Sequence, residues 1–496
     1  MLLIDADSVQ EEKVIAENVV KGKQIYCIKD SKDYYIYNSG YFHSGDVAEA
    51  ELEQLIMNLC GETKVYRSSS PKATEKPYKV NPSRYSTILR YLRKETYIDR
   101  TKFTCPPTII FCKNGLYHTD LKTFHSYDLY KHDPYKTTYQ LPVNYDPEAS
   151  PEVWDSFLID LVGEERTDLI YEVIAYILMP HIKYQKAFIL FGPAGSGRTT
   201  FIDALIRFLG GKGLCPWIKN IKLQELEERF QLGELRDAML NYFDDLDKDR
   251  IWRSEKFRIS VTNRHLSGEL KRIQSHATWL NRVKHLFSCN NLPELKKDPG
   301  MQFWRRWILI PFNAEFKDKE VMTQDDIDDP MIFERDYHMF DKLTDSKALS
   351  GLLNRVIEAW ERLTNRDHFD KKWDDVEYVS NLWMININPV KMFVDEKCVL
   401  NPNFNVDYEV FYKALNDFRK KKGADSITRT MMTRSLKSLE IPQFKVKRVS
   451  VKHNPESSGS SYIGLTIREK GTIALDDELE EMELKKPKSR FPFDEF

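Results

Sequence analysis

The stretch from Phe188 to Leu205, FILFGPAGSGRTTFIDAL, carries the residue types best suited to chemistry. Gly192, Pro193, Ala194, Gly195, Ser196, Gly197, Arg198, Thr199 and Thr200 follow the pattern G-x-x-x-x-G-K-[ST] at every defining position but one. Small residues at this spacing let backbone N–H groups converge on phosphate oxygens, and a helix beginning beneath them adds partial positive charge. That is the chemistry of an ATP phosphate site, with the Thr199 hydroxyl placed to coordinate Mg²⁺. The exception is Arg198, where the pattern has Lys. Lysine is a compact point charge that sits between the β- and γ-phosphates; arginine is planar and forks its donors. The charge is kept, so binding is expected to survive while positioning for hydrolysis changes. A glycine-rich turn that binds no phosphate is the alternative, and the agreement of strand, loop and helix weighs against it.

Further chemistry follows downstream. Asp237 to Phe243 reads as a mostly apolar strand that ends in Asp244 and Asp245. A carboxylate there can hold the Mg²⁺ shell, and its neighbour can orient or deprotonate an attacking water. Asp247 competes for the second role, and two surface acids after a strand are the plain alternative. The apolar run His285 to Cys289 ends in Asn290, whose amide can bond a γ-phosphate or position water. Arg305 and Arg306 open another apolar strand, either as structural ion-pair residues or as arginine fingers for a neighbouring subunit's nucleotide. Between these strands lie Lys271, Arg272, His276, Arg282 and Lys284, with Trp279 among them. A basic hairpin with an aromatic suits a loop that tracks a nucleic-acid strand, although an ordinary charged connection explains the charge nearly as well.

The elements that must position these groups come from periodicity. Ala187 to Phe191 is a short apolar strand, and Phe201, Ala204, Leu205 and Phe208 repeat at helical spacing after the loop. Helical segments at Pro151–Leu161 and Leu169–Leu178 lead into this core and read as a helical collar. The N-terminal stretch reads as α+β, with a hairpin around Asn38-Ser39-Gly40, a helix over Ala48–Leu59, a linker over Ser68–Lys79 and a basic helix over Arg84–Tyr97. Near the other end, Phe404–Arg419 and Thr428–Leu439 read as helices, and Phe444–Val451 with Tyr462–Ile467 as a hairpin. Helix, helix and hairpin suggest a winged-helix module. Lys413 to Lys452 holds twelve Lys/Arg against three Asp/Glu, which favours nucleic-acid contact through Arg429, Arg434 and Lys437 over a merely solubilising face.

Taken together, Gly192–Thr199, Asp244-Asp245, Leu266–Lys284, Asn290-x-x-Pro293 and Arg305-Arg306 resemble the superfamily 3 helicases, most closely the poxvirus-type primase-helicase family of viruses, phages and plasmids. The texts NGLYHTD…YQLPVNYDP…W before the core and SGLLNRVIEAWERL after it resemble that family too, so the likeness spans roughly residues 107 to 366. The resemblance implies an AAA+-type parallel sheet, a hexameric ring, and ATP-driven movement on single-stranded or forked DNA. It makes Asn290 the sensor and Arg305 or Arg306 the finger, while Arg198 departs from the family's Lys. It also implies replication partners such as a primase or polymerase, and a host cell's interior as the location. The polymerase-like domain of many relatives is not expected upstream.

The expected class is α/β: an AAA+-type P-loop core with a parallel sheet, an α+β N-terminal region and a helical collar before it, and a winged-helix-like module after it. The expected boundaries are 1–106 N-terminal region, 107–183 collar, 184–320 core, 321–385 helical lid, 386–470 basic module and 471–496 disordered acidic tail. A 496-residue chain with 41% hydrophobic residues suffices for about three such domains. The net charge of −2 confines any nucleic-acid surface to local patches. Cys27, Cys60, Cys105, Cys112, Cys215, Cys289 and Cys398 form no C-x-x-C pair, which points to reduced thiols in an intracellular protein. The N-terminus is too acidic for a signal peptide, and no apolar run is long enough to span a membrane. The leading reading is a helicase or translocase of a mobile element. Its alternative is a nucleotide-binding ring or loader that clamps nucleic acid without translocating, its hydrolysis impaired by Arg198.

Overall fold

The computed structural model describes residues 2–38, 40–70, 74–103, 105–127, 135–211, 217–246, 254–270, 273–295, 300–422, 424–437, 439, 447–450 and 460–467. The chain divides into two compact units, Met1–Ser380 and Asn381–Phe496.

In the first unit, the N-terminal part has its own apolar core, built on Ile15, Ile36, Leu52, Ile56 and Leu92. Its hairpin pairs Tyr34–Asn38 with Tyr41–His43, as the Asn-Ser-Gly signal predicts. Its helices are Glu11–Gly22, Gly45–Gly61 and Pro82–Thr96. The last is capped by Asn81, whose side chain accepts from Arg84 N at 2.9 Å, with Pro82 at the first helical position.

Residues 107–183 are not helical throughout. They open with an antiparallel meander, Ile109–Cys112, Gly115–His118 and Thr123–Ser126. Helices α1 (Glu152–Val162) and α2 (Glu164–Leu178) follow. One apolar core then runs from the meander to residue 373, taking Phe111, Trp154, Tyr171, Phe188, Leu286, Ile308 and Trp360. The predicted collar, motor core and lid therefore share a single interior.

Five strands form the central sheet: β1 (Ala187–Phe191), β2 (Ile218–Lys219), β3 (Leu240–Phe243), β6 (Lys284–Cys289) and β7 (Trp307–Pro311). Between β3 and β6 come α4 (Glu255–Thr262) and a hairpin of β4 (His265–Leu270) and β5 (Ile273–Leu280). All pairings in the sheet are parallel, in the order β2-β3-β6-β1-β7. Every residue of β1, β6 and β7 is buried, as expected where helices cover both faces. Strand β1 lies between the fourth and fifth strands of the chain order. Chain direction across the sheet reverses beside it, and in open α/β sheets such a reversal leaves a crevice at the strands' carboxyl ends. Helix α3 (Arg198–Leu209) follows β1, and α5 (Ser346–Arg366) packs on α2.

Strand β6 also buries His285 completely. Its ring nitrogens lie 2.9 Å from Ser260 Oγ and 3.2 Å from Asn241 Nδ2. Burial pushes its pKa down from 6.5 to about 3. Between these values the unfolded chain takes up a proton that the folded chain refuses, so stability is full above about pH 6.5 and is lost as pH falls, by about 1.4 kcal/mol per unit. The expected result is that urea midpoints fall more steeply with acid in the wild type than in His285→Gln. Parallel slopes would contradict it.

In the second unit, strand Cys398–Asp407 precedes helices Tyr408–Lys421 and Arg429–Lys437, and strands Lys447–Ser450 and Ser460–Ile467 follow. The sheet order places Ser460–Ile467 between the other two strands, antiparallel to both. The helix predicted from Phe404 begins only at Tyr408, because Asp407 caps it by accepting from Glu409 N and Val410 N. Phe404 to Asp407 belong to the strand instead.

Candidate nucleotide site at the carboxyl ends of the sheet

The Gly192–Thr200 loop leaves β1 at the crevice. Its path demands glycine where chains touch: a Cβ on Gly192 would lie 2.0 Å from Phe312 O, just beyond β7. Gly197 caps α3 in the left-handed region at φ 79°. The loop is tied down by Phe316 N donating to Gly195 O at 2.9 Å.

Asp244, Asp245 and Asn290 end the two strands on the other side of the switch point, and the structure brings all three to the loop. Thr199 Oγ1 donates to Asp244 Oδ2 at 3.1 Å. The Ser288 hydroxyl donates to Asp244 Oδ1, and Asn290 Nδ2 donates to Asp245 Oδ1 at 3.1 Å. Asp245 adopts φ 61°, which Asp tolerates better than most residues, and its N–H points at Ser288 Oγ at 3.4 Å. Asp247 lies outside the described residues. Ser288 is a participant that sequence reasoning missed; its one signal is a hydroxyl inside an apolar strand run.

Arg198 is buried, only 8% exposed. Its guanidinium turns back into the protein. Nε donates to Ser196 Oγ at 3.1 Å, Nη1 to Cys289 O, and Nη2 to Asn290 Oδ1 at 2.6 Å and Pro193 O at 3.4 Å. Four of a guanidinium's five N–H donors are thereby used internally. Burial pushes its pKa down, opposed by the nearby Cys289, Asp244 and Asp245.

A cavity of about 470 Å³ opens beside the loop. Gly195–Thr200 form one wall; Phe157, Asp160, Phe316, Phe333, Tyr337 and Phe340 line others. Phe316 lies on β8 (Glu315–Lys317) and Phe333 on β9 (Ile332–Glu334), a parallel pair outside the main sheet.

Other predicted residues fall elsewhere. Lys284 was expected on a nucleic-acid surface, and the structure overturns this: it is 1% exposed, its ammonium donating to Met179 O and to Arg282 O at 3.0 Å, with Tyr176's ring 5.0 Å away. Burial drives its pKa well down. Trp279 is also buried, so it offers no face to a base. Lys271 and Arg272, and the side chain of His276, lie outside the described residues; the hairpin strands that flank them are in place.

Arg305 and Arg306 precede β7 and therefore lie at the opposite edge of the sheet from the loop. They separate sharply. Arg306 is 5% exposed, with Nε donating to Thr262 Oγ1 at 2.8 Å, and burial beside Arg305 and Arg258 lowers its pKa to about 10. That burial corrects its reading as a finger. Arg305 is exposed, and its side chain has no hydrogen bond or ion pair among the described residues.

In the second unit, Arg434 and Lys437 are exposed, whereas Arg429 pairs bidentately with Glu409 at 3.1 and 3.0 Å. Its charge is already partly neutralised within the fold. The predicted tail 471–496 and Cys215 lie outside the described residues. No helix among the described residues is long and apolar enough to cross a membrane.

A family model described as D5 N terminal like matches residues 12–163 of this chain. A second model, a family of unknown function (DUF5906), matches residues 190–306, a span that includes the loop, Asp244, Asp245, Asn290, Arg305 and Arg306. No curated protein matches the chain. Among solved structures, the apo structure of the NrS-1 C terminal region (305-718) is 13% identical over 92% of this chain and 100% of that one, with a TM-score of 0.43. The A form apo structure of the same region is 13% identical over 93% and 100%, with a TM-score of 0.41. The chain is thus similar at its N-terminal side to the D5 N terminal like family, and across the Gly192–Thr200 loop and its partners to a family without an assigned function.

Proposed function

We propose that this chain is an ATP-dependent DNA motor of a mobile genetic element, a helicase or translocase that works as a closed, hexameric ring on single-stranded or forked DNA. The observation that carries this reading is the convergence of the Gly192–Thr200 loop with Asp244, Asp245 and Asn290 at the carboxyl ends of three adjacent parallel strands. The strand order, with β6 between the loop strand and the acidic strand, suits an AAA+-type core. The D5 N terminal like match supports a viral or phage replication context, with a primase or polymerase as a working partner. The second unit's two helices and antiparallel strands suit a winged-helix module that holds DNA through Arg434 and Lys437.

Thr199 and Asp244, already hydrogen-bonded to each other, are the residues that would hold Mg²⁺ with the nucleotide. When bound, the ion neutralises charge on the phosphates. Ser288 fixes the Asp244 carboxylate, Asp245 accepts a proton from or orients the attacking water, and Asn290 links that carboxylate to the γ-phosphate end of the loop. The hairpin β4–β5 joins elements that carry Asp245 and Asn290, so Lys271 and Arg272 between its strands are the proposed movers of DNA.

A second reading, a ring or loader that clamps nucleic acid without translocating, is favoured by the internal bonding of Arg198. Phosphate release separates the two. The motor predicts release that single-stranded DNA stimulates and that Asp244→Asn lowers by about 10²-fold or more. DNA retention that depends on ATP, with no phosphate release from this chain or from Arg198→Lys, would leave only the clamp.

A further inference from the structure

The cavity beside the loop has a polar group without an assigned task. Asp160 lies on α1, next to Leu161, whose methyl comes within 2.6 Å of where a Cβ on Gly197 would stand. Asp160 itself lines the same cavity as Gly195–Thr200, the stretch where the loop enters α3. Asp160 has no hydrogen bond or ion pair among the described residues.

The other polar side chains beyond the loop are committed. Arg335 reaches Asp318 and Phe316 O, both at 3.0 Å, and the Tyr337 hydroxyl donates to Asp318 at 2.8 Å. Asp336 pairs with Lys342 at 2.6 Å, and Glu334 with Lys319 at 3.4 Å. What remains of the wall, apart from Met339, is aromatic. Phe316 and Phe333 stack with ring centroids 5.6 Å apart.

We propose that Asp160 reads the sugar of the bound nucleotide, accepting hydrogen bonds from its vicinal 2′- and 3′-hydroxyls, so that the site takes ribonucleoside over 2′-deoxyribonucleoside triphosphates. This deepens the nucleotide reading of the same cavity and rests on it. A carboxylate has two acceptor oxygens and no donor, and a vicinal diol offers two O–H donors to match. It cannot face phosphates, which repel it. It also fits the edges of adenine and cytosine poorly, since each sets a ring-nitrogen lone pair beside its amine. Partial burial already pushes the Asp160 pKa up, the mark of a carboxyl short of donors. The aromatic rings can stack on any base, because every base has a π-face, so base identity is held without being read.

The test is titration calorimetry of the full chain with Mg²⁺ and ATP, 2′-dATP, GTP or inorganic triphosphate, for the wild type, Asp160→Asn and Asp160→Ala. The wild type is expected to bind ATP about tenfold or more tighter than 2′-dATP, the worth of one hydrogen bond to a charged group. Both variants should bring that ratio to within about twofold, with triphosphate affinity kept and GTP close to ATP throughout. Equal affinity of the wild type for ATP and 2′-dATP, with triphosphate bound, overturns the sugar reading and leaves the phosphate site standing. A GTP preference that Asp160→Asn removes shows a carboxylate reading guanine's two donors, and also overturns it. Failure of triphosphate itself to bind removes the nucleotide site and this proposal together.

Discussion

Exchanging Arg198 for lysine is expected to raise DNA-stimulated phosphate release by about 10²-fold, the usual worth of one well-placed donor at a developing charge. In the structure the guanidinium serves the protein before any ligand. It bonds two backbone carbonyls beneath the loop, Pro193 O and Cys289 O, and takes the Asn290 side-chain oxygen at 2.6 Å. Asn290 is thereby held between Arg198 and Asp245, with both ends of its amide occupied. A phosphate that enters the loop must compete for the cation with these three bonds and with the Nε bond to Ser196 Oγ, and must do so in a site that already desolvates it. A lysine ammonium is smaller, rotates freely and carries three donors, so it can leave Asn290 to the ligand. Nucleotide affinity should change less than turnover, because charge is conserved while its placement is not. Arg198→Ala serves as the control, since it releases Asn290 but removes the charge, and it should weaken binding without gaining turnover. Equal rates for wild type and Arg198→Lys would show that the internal bonding is no brake. Silence from both would end the motor reading.

The strand, glycine-rich loop and helix from Ala187 to Leu209 were legible because they are written in one continuous run of residues, and backbone geometry dictates the spacing. Asp244, Asp245 and Asn290 were legible for a related reason: each ends an apolar strand, and parallel strands deliver their carboxyl ends to the same edge. Side-chain direction was not legible. Lys284 sits in a text rich in Lys and Arg, yet its ammonium is held by Met179 O from α2's end, a contact across about a hundred residues that no local pattern records. Trp279 and Arg306 fail in the same way, as groups whose polarity or aromaticity suggests a surface and whose packing buries them. The meander at Ile109–Cys112 and its partners was hidden because its strands are too short for alternation to stand out. Asp160 gave no signal, being one acid on a helix that shares its cavity with Phe316 and Phe333 from far downstream.

Arg305→Ala is expected to lower phosphate release by about 10³-fold or more, the range for an arginine finger, while leaving nucleotide binding intact. The geometry excludes action on its own loop. Strands β1 and β7 are parallel and in register from Ala187 with Trp307 to Phe191 with Pro311, so Arg305 lies one full strand, about 17 Å, from the loop end of the sheet. Lys186 Nζ donates to Arg305 O, which fixes the backbone while the side chain stays exposed. Arg306 is excluded as the finger by its burial against Thr262. An exposed guanidinium at the back of one chain fits the front of another, and a head-to-tail contact of that kind gives the proposed ring where the rotation between chains closes. Mixing variants decides the matter. Asp244→Asn chains keep the finger and lose the loop's carboxylate; Arg305→Ala chains keep the loop and lose the finger. Each alone should be nearly inactive. In mixed assemblies about a quarter of the interfaces join an intact loop to an intact finger, and activity should rise towards that share of the wild-type rate. A mixture no more active than its parts, under conditions where sedimentation shows mixed rings, would place Arg305 outside the reaction and leave its exposure a matter of surface charge.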